Sequence, residues 1–207
     1  MPISPTTRME RDAIAFLMDD HKRMQQIFND FAALEPDDQE SLRELAETAC
    51  LEVQLHSILE EEIFYPAVRA QIESDDLLGE NLLNQAEVEH EAVDELVDKL
   101  QELESDDAMY RAYFGVLGEY VKHHIGEEEK ELFPKIEKMR NLDLQRLAAD
   151  MRLRREELFA EIESEQTNAQ ARSDFDIVTG SPALNPNALQ EENAEQGDRL
   201  DIDRTRH

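Results

Sequence analysis

The chain predicts an all-α protein, an up-down-up-down four-helix bundle with an additional C-terminal helix and a flexible acidic tail. Three observations carry that prediction. β-Branched runs are rare, while Leu, Ala, Glu and Gln dominate. Apolar residues recur at three- and four-residue steps, the period of a helix face. The links between the long periodic stretches are short, which makes consecutive helices antiparallel neighbours.

The first helix is expected from about Arg8 to Leu34, with an apolar stripe of Ile14, Leu17, Met18, Met24, Phe28 and Phe31. Pro36 and the Asp37–Asp38 pair punctuate its end. The second runs from about Gln39 to Ile72, striped by Leu45, Ala49, Leu59 and Ile63. The third runs from about Leu77 to Glu104, striped by Leu83, Ala86, Val93, Val97 and Leu100. The fourth runs from about Asp107 to Arg140, striped by Phe114, Leu117, Val121 and Leu132. Together these give a bundle domain over residues 8–140. An appended amphipathic helix is expected over 143–164, carrying Leu147, Met151, Leu158 and Ile162. Residues 167–207 hold Gly180, Pro182, Pro186 and Gly197, and their apolar residues follow no period. They read as the flexible tail.

The formal charge is −29. The tail contributes eight acids against four arginines, so the body itself is strongly acidic. That excess argues against a nucleic-acid partner, which needs a basic footprint, and against docking on anionic lipid. No apolar run approaches the roughly 18 residues of a membrane span. The N-terminus carries no signal-peptide pattern, since its longest apolar run, Ala13 to Met18, has acidic flanks. A cytoplasmic protein is expected. Cys50 is the one cysteine, which excludes an intramolecular disulfide and suits a small buried packing residue.

The chemistry lies in the histidines. Apart from His207 the chain has His21, His56, His90, His123 and His124, at least one on each long helix. His21, His56, His90 and one of the last pair fall within the apolar stripes. A lone histidine there reads as a core residue bonded to a neighbour. Four facing one axis cannot all find partners among Leu and Ile, and a metal supplies them.

Carboxylates follow at helical spacing. His56-Ser-Ile-Leu-Glu60-Glu61 leads to Phe64-Tyr65-Pro66, and His124-Ile-Gly-Glu127-Glu128-Glu129 leads to Leu132-Phe133-Pro134. The two segments align without a gap, 68 residues apart. Residues i and i+4 share a helix face, so His56 with Glu60 and His124 with Glu128 can both point inward. Glu61 and Glu129, turned about 100° further round, are expected at solvent or a helix seam. The alignment favours His124 over His123, while the register His123 with Glu127 stays open. His21 and His90 lie 69 residues apart, so residues 21–66 and 90–134 read as two copies of one helix-pair unit. Two such units, related by an approximate two-fold, would form a two-metal site between facing helices.

These residues, His21, His56-x3-Glu60, His90 and His124-x3-Glu128 with the exits Tyr65-Pro66 and Phe133-Pro134, resemble the hemerythrin-like, or HHE cation-binding, family. The resemblance implies a non-haem centre of two iron ions, oxo- or hydroxo-bridged. His21 and His56 would hold one iron, His90 and His124 the other, and Glu60 and Glu128 would bridge. Imidazole with carboxylate suits iron or manganese, and zinc also accepts such ligands. The implied partner is a small diatomic ligand, dioxygen or nitric oxide, or peroxide. One feature departs from the oxygen carriers of the family: the position four residues before His90 is Ala86, not a histidine. Glu87 is either a substitute ligand or a solvated face. With one protein ligand fewer, two exchangeable metal positions are expected instead of one, so reversible carriage does not follow from the resemblance, and reaction with dioxygen, peroxide or nitric oxide, or iron sensing, stays open. The alternatives are an iron sensor or reserve that signals through metal-dependent folding, and a metal-free acidic adaptor. Tyr65 and Tyr120 are candidates to bond a ligand, against aromatic packing at a seam.

Overall fold

The computed structural model of the protein describes residues 12–35, 37–72 and 76–179. Seven helical segments make five rods: α1 (Ala13–Ala33), α2 (Gln39–Leu59) with α3 (Tyr65–Arg69), α4 (Leu77–Glu102), α5 (Tyr110–Glu127) with α6 (Phe133–Ile136), and α7 (Leu144–Thr179). The first four rods form the expected antiparallel bundle. α1 pairs with α2 and α4 with α5, and the two hairpins meet through α1 against α5 and α2 against α4. Among the described residues there is no strand.

Aspartates set the helix starts. The side chains of Asp12, Asp38, Asp76 and Asp143 accept the backbone N–H of Ala15, Ser41, Gly79 and Arg146, at 2.9, 3.1, 3.1 and 3.0 Å. Each satisfies one of the orphan donors of a first turn and places negative charge at the positive end of the helix. α1 begins at Ala13, and residues 8–11 of the expected first helix lie outside the described residues.

Two wide turns interrupt the second and fourth rods at equivalent places. Glu60–Phe64 and Glu128–Leu132 are π-helical. Tyr65 N–H reaches back five residues to Glu60 C=O, and Phe133 N–H to Glu128 C=O. The cause is in the sequence: Pro66 and Pro134 have no N–H, and their rings crowd the carbonyl four residues back. One extra residue in the turn relieves that clash and rotates the rest of the rod. Ile63, expected inward, is therefore only half-buried, while Phe64 and Tyr65 are fully buried.

Most of the apolar stripes pack as expected. Leu42, Val53, Val93, Val97, Phe114, Leu117 and Val121 fill one half of the bundle. They come from the first halves of the second and fourth rods and the second half of the third, which share one end of an antiparallel bundle. Cys50 is a buried free thiol among them. Burial, helped by the Glu47 charge, pushes its pKa up to about 11, so it packs as a small apolar group.

The described residues fall into two compact units, divided between Leu158 and Phe159. The last helix is longer than expected. α7 runs on to Thr179, through residues 167–179 where the flexible tail was expected to start. The apolar period does stop near Ser164, but residues 165–179 contain no Gly or Pro to break the helix. The remainder of the expected tail, 180–207, lies outside the described residues.

Candidate metal centre

The structure brings together all six residues singled out by spacing: His21, His56, Glu60, His90, His124 and Glu128 are all buried. His21 comes from α1, His56 from α2, His90 from α4 and His124 from α5, each facing the axis. Their ring Nε2 atoms converge on the two carboxylates. His21 Nε2 lies 3.2 Å from Glu128 Oε2, and His56 Nε2 lies 3.3 Å from Glu60 Oε2. His90 Nε2 is 3.4 Å from Glu60 Oε2, and His124 Nε2 is 3.4 Å from Glu128 Oε2. Two groups of donors are compact enough to share an ion each: His21, His56, Glu60 and Glu128, and Glu60, His90 and His124. Glu60 stands in both.

The outer nitrogens face carboxylates, and here the two copies answer each other. His21 Nδ1 bonds Glu129 Oε1 at 2.9 Å, and His90 Nδ1 bonds Glu61 Oε1 at 2.8 Å. Each acid comes from the opposite copy. Glu61 and Glu129 do lie at a seam, as expected, but they hold histidines there. His124 Nδ1 bonds Glu89 Oε2 at 3.0 Å, and the nearest carboxylate to His56 Nδ1 is Asp20, at 3.7 Å. Asp20 and Glu89 escaped the sequence reading. Their signal is the acid immediately before the histidine in both copies, Asp20-His21 and Glu89-His90. A carboxylate on Nδ1 keeps the proton there and leaves the Nε2 lone pair pointing inward, the tautomer a metal ligand needs.

Tyr65 completes the interior. Its Oη lies 3.0 Å from Glu60 Oε2 and 2.9 Å from Glu128 Oε1, so one phenolic proton serves both acids. The π turn aims it there, because the residue five places after Glu60 falls near the same face. Its ring stacks on His90 at 5.9 Å, and Phe133, the matching residue of the second copy, stacks on His21 at 5.6 Å. Tyr120, the other candidate tyrosine, is 46% exposed.

Position separates the two neighbouring histidines and the two residues ahead of His90. His124 is buried, whereas His123 is 63% exposed. Ala86 is buried at the place a fifth histidine would take, and Glu87 turns outward to Arg69 Nη1 at 3.0 Å.

The electrostatics show how strongly the cluster wants positive charge. Burial pulls the imidazole pKa values down, yet the surrounding acids overcome it. Glu60 and Glu61 raise His90 to about 9. Glu128 raises His21, and Glu128 with Glu60 and Glu89 raises His124 well above its ordinary value. Burial pushes Glu60 upward, but His56, His124 and His90 hold it well below the carboxylate range. Glu128 is lowered as well, by His124 and His21, against burial and the Glu60 charge. Burial and both carboxylates push the Tyr65 phenol well above 10.

The fit to a metal rests on atoms with no other use. His21 Nε2, His56 Nε2, Glu60 Oε1 and Glu128 Oε2 are buried and lack a hydrogen-bond partner. His90 Nε2 and His124 Nε2 face each other at 3.2 Å, with both Nδ1 atoms engaged by carboxylates. Only a proton or a cation between such nitrogens satisfies them. The buried His/Glu cluster is therefore one that can bind metal.

Comparison with known proteins agrees with this geometry. The sequence model of the Hemerythrin HHE cation binding domain matches residues 12–136. A crystal structure of a hemerythrin HHE cation-binding domain-containing protein from Mycobacterium kansasii superposes with a TM-score of 0.57 at 19% identity, covering 71% of this chain and 86% of that one. That likeness is one of fold. No curated protein matches the chain. No helix among the described residues is long and apolar enough to cross a membrane. With more than half of its 207 residues matched and a His/Glu cluster buried at the bundle axis, the chain belongs to the hemerythrin HHE cation-binding domain family.

Proposed function

We propose that the chain is a non-haem di-iron protein that binds or reacts with dioxygen, peroxide or nitric oxide. In this reading His21 and His56 would hold one iron and His90 and His124 the other, with Glu60 and Glu128 as the carboxylates available to both. The observation that carries it is the set of buried, partnerless Nε2 and carboxylate oxygen atoms converging on the axis. Imidazole with carboxylate is a donor set that suits iron. Bound iron would supply one-electron redox chemistry and positions at which a small ligand exchanges.

The chain's own residues define the surroundings. Glu61, Glu89 and Glu129 hold the Nδ1 protons of His90, His124 and His21, which orients the rings and makes them better donors. Tyr65 keeps a proton between Glu60 and Glu128. Leu59, Phe64, Leu117 and Phe133 are buried and keep bulk water from the cluster. Ala86 offers a methyl group where another ligand would stand, and Glu87 is engaged by Arg69, so the protein supplies six residues. A smaller protein ligand set leaves more room for exogenous ligands, which favours reaction over carriage.

Anaerobic loading with ferrous iron and metal analysis test the reading. About two irons per chain are expected, with near-ultraviolet absorption after oxidation and a spectral change with dioxygen, peroxide or nitric oxide. Failure to retain iron, or a reduced protein silent to all three, overturns it.

A further inference from the structure

A second group of donors meets just outside the buried cluster. His123 on α5 has Nε2 3.5 Å from Glu89 Oε1 of α4 and 3.5 Å from Glu127 Oε1 one turn along. His123-x3-Glu127 is a third copy of the His-x3-Glu spacing, one register away from His124 and Glu128. The internal repeat shows how unusual this pair is. The matching residues of the first copy are Leu55 and Leu59, both buried core. Where one copy packs two leucines, the other presents an imidazole and a carboxylate to solvent.

Glu89 makes the contrast sharper. Its counterpart Asp20 is neutralised by two arginines, Arg23 and Arg155. Glu89 is only 16% exposed, and its partners are Gln85, His123 and His124, none a lysine or arginine. The Gln85 amide donates to both Glu89 and Glu127 and draws the two carboxylates together. Like charges held side by side in a part-buried setting call for a cation.

We propose that Glu89, His123 and Glu127 form a third, outer metal site for a small divalent cation. One imidazole and two carboxylates are a donor set of zinc and ferrous iron. Donors about 2.1 Å from such an ion lie roughly 3.0 to 3.5 Å apart, which the two separations at His123 match. The open side leaves the remaining positions to water. The site is linked to the buried cluster through one carboxylate: Glu89 Oε1 faces His123, while its Oε2 accepts from His124 Nδ1 at 3.0 Å. A cation arriving at the surface thus sits one residue from the histidines inside.

Zinc retention by the iron-loaded full chain tests this, with both metals counted in the same samples. After dialysis against micromolar zinc, the protein is expected to keep about one zinc per chain beyond its iron. H123A and E127Q should each lower zinc affinity at least tenfold while iron content stays unchanged. His123 is exposed and Glu127 half-buried, and circular dichroism checks that each variant folds. The proposal is overturned if iron-loaded protein keeps no zinc, or if both variants keep as much as the parent. Iron content is read separately, so failure of the inner centre to hold iron is distinguishable from failure of the outer site.

Discussion

Arg155 and Asp20 are joined by both ends of a guanidinium: Nη1 lies 3.0 Å from Oδ1, and Nη2 sits against Oδ2. Asp20 is 1% exposed and also takes Arg23 Nη2 at 2.5 Å. Burial alone would raise its carboxyl pKa, but His56 and Arg155 hold it down at about 2. The aspartate in turn faces His56 at 3.7 Å. Arg155 stands on α7, beyond residues 12–136, so a helix outside the matched domain braces one side of the cluster.

Replacing Arg155 by Ala leaves a buried carboxylate with Arg23 as its remaining cation. Breaking a buried pair from one side costs about 3 kcal/mol when nothing replaces the missing partner. Arg155 also holds its guanidinium 4.5 Å from the centre of the Phe16 ring, and the alanine variant gives up that cation–π attraction as well. Thermal unfolding is expected to fall by roughly 6–12 °C for a chain of this size. R155K keeps the charge without the two-pronged fit and should recover only part of the loss. An unchanged melting temperature in R155A would show that Arg23 alone suffices.

Y65F tests the shared phenolic proton. The phenyl ring can still stack on His90, and Phe133 shows that phenylalanine fits the matching place in the second copy. The variant is therefore expected to fold. Losing a hydrogen bond to charged groups costs about 1.5–3 kcal/mol, so the chelated protein should melt several degrees lower. Iron should still bind, since Tyr65 donates a proton and no ligand is removed in this reading. A shifted near-ultraviolet band with unchanged iron content is the expected spectrum. Loss of iron in Y65F would instead make the phenol part of the ligand set.

His56→Ala and His124→Ala separate the metal reading from a metal-free adaptor. Each removes an inward Nε2 from a different donor group. Each is expected to lower iron by about one per chain and to shrink the stabilisation that metal confers, since that stabilisation follows binding. His123→Ala, at an exposed position, should leave the inner iron intact. Equal iron in all three variants would sink the assignment of His56 and His124.

Much of the site was legible because it follows helical geometry. His56 and Glu60, like His124 and Glu128, are one turn apart, and the repeat placed His21 and His90 opposite them. What periodicity could not show is where the period itself breaks. The π turns carry Phe64 and Tyr65 inward and leave Ile63 half-buried, and a stripe extended at 3.6 residues per turn runs straight past them. The prolines that cause the turns were visible, but Pro66 and Pro134 read simply as helix exits. Partners on other rods were equally hidden: nothing local to Asp20 points to Arg155, 135 residues away. The length of α7 is hidden for another reason: its apolar period ends near Ser164, while the helix runs on to Thr179.

The pKa shifts give opposite pH behaviour with and without metal. In the metal-free protein His90 has a folded pKa raised to about 9 from 6.5. A raised histidine stabilises fully below its unfolded value and loses that contribution as pH climbs through about 9. His21 and His124 are raised too and act in the same direction. Glu60 and Glu128 are lowered from 4.5, so their contribution is present above that value and is lost as pH falls further. The chelated protein is therefore expected to melt highest between about pH 5 and 6.5, and progressively lower toward pH 9 and above. Metal reverses the alkaline limb, because bound imidazoles must be neutral and protons compete for the same nitrogens. The increment in melting temperature that iron confers should thus be small near pH 5 and grow as pH rises, with iron released on acidification. Melting curves of chelated and iron-loaded protein across pH 5–9 measure both limbs. An iron increment that shrinks toward alkaline pH would show that the cation does not take the place of the protons on these histidines.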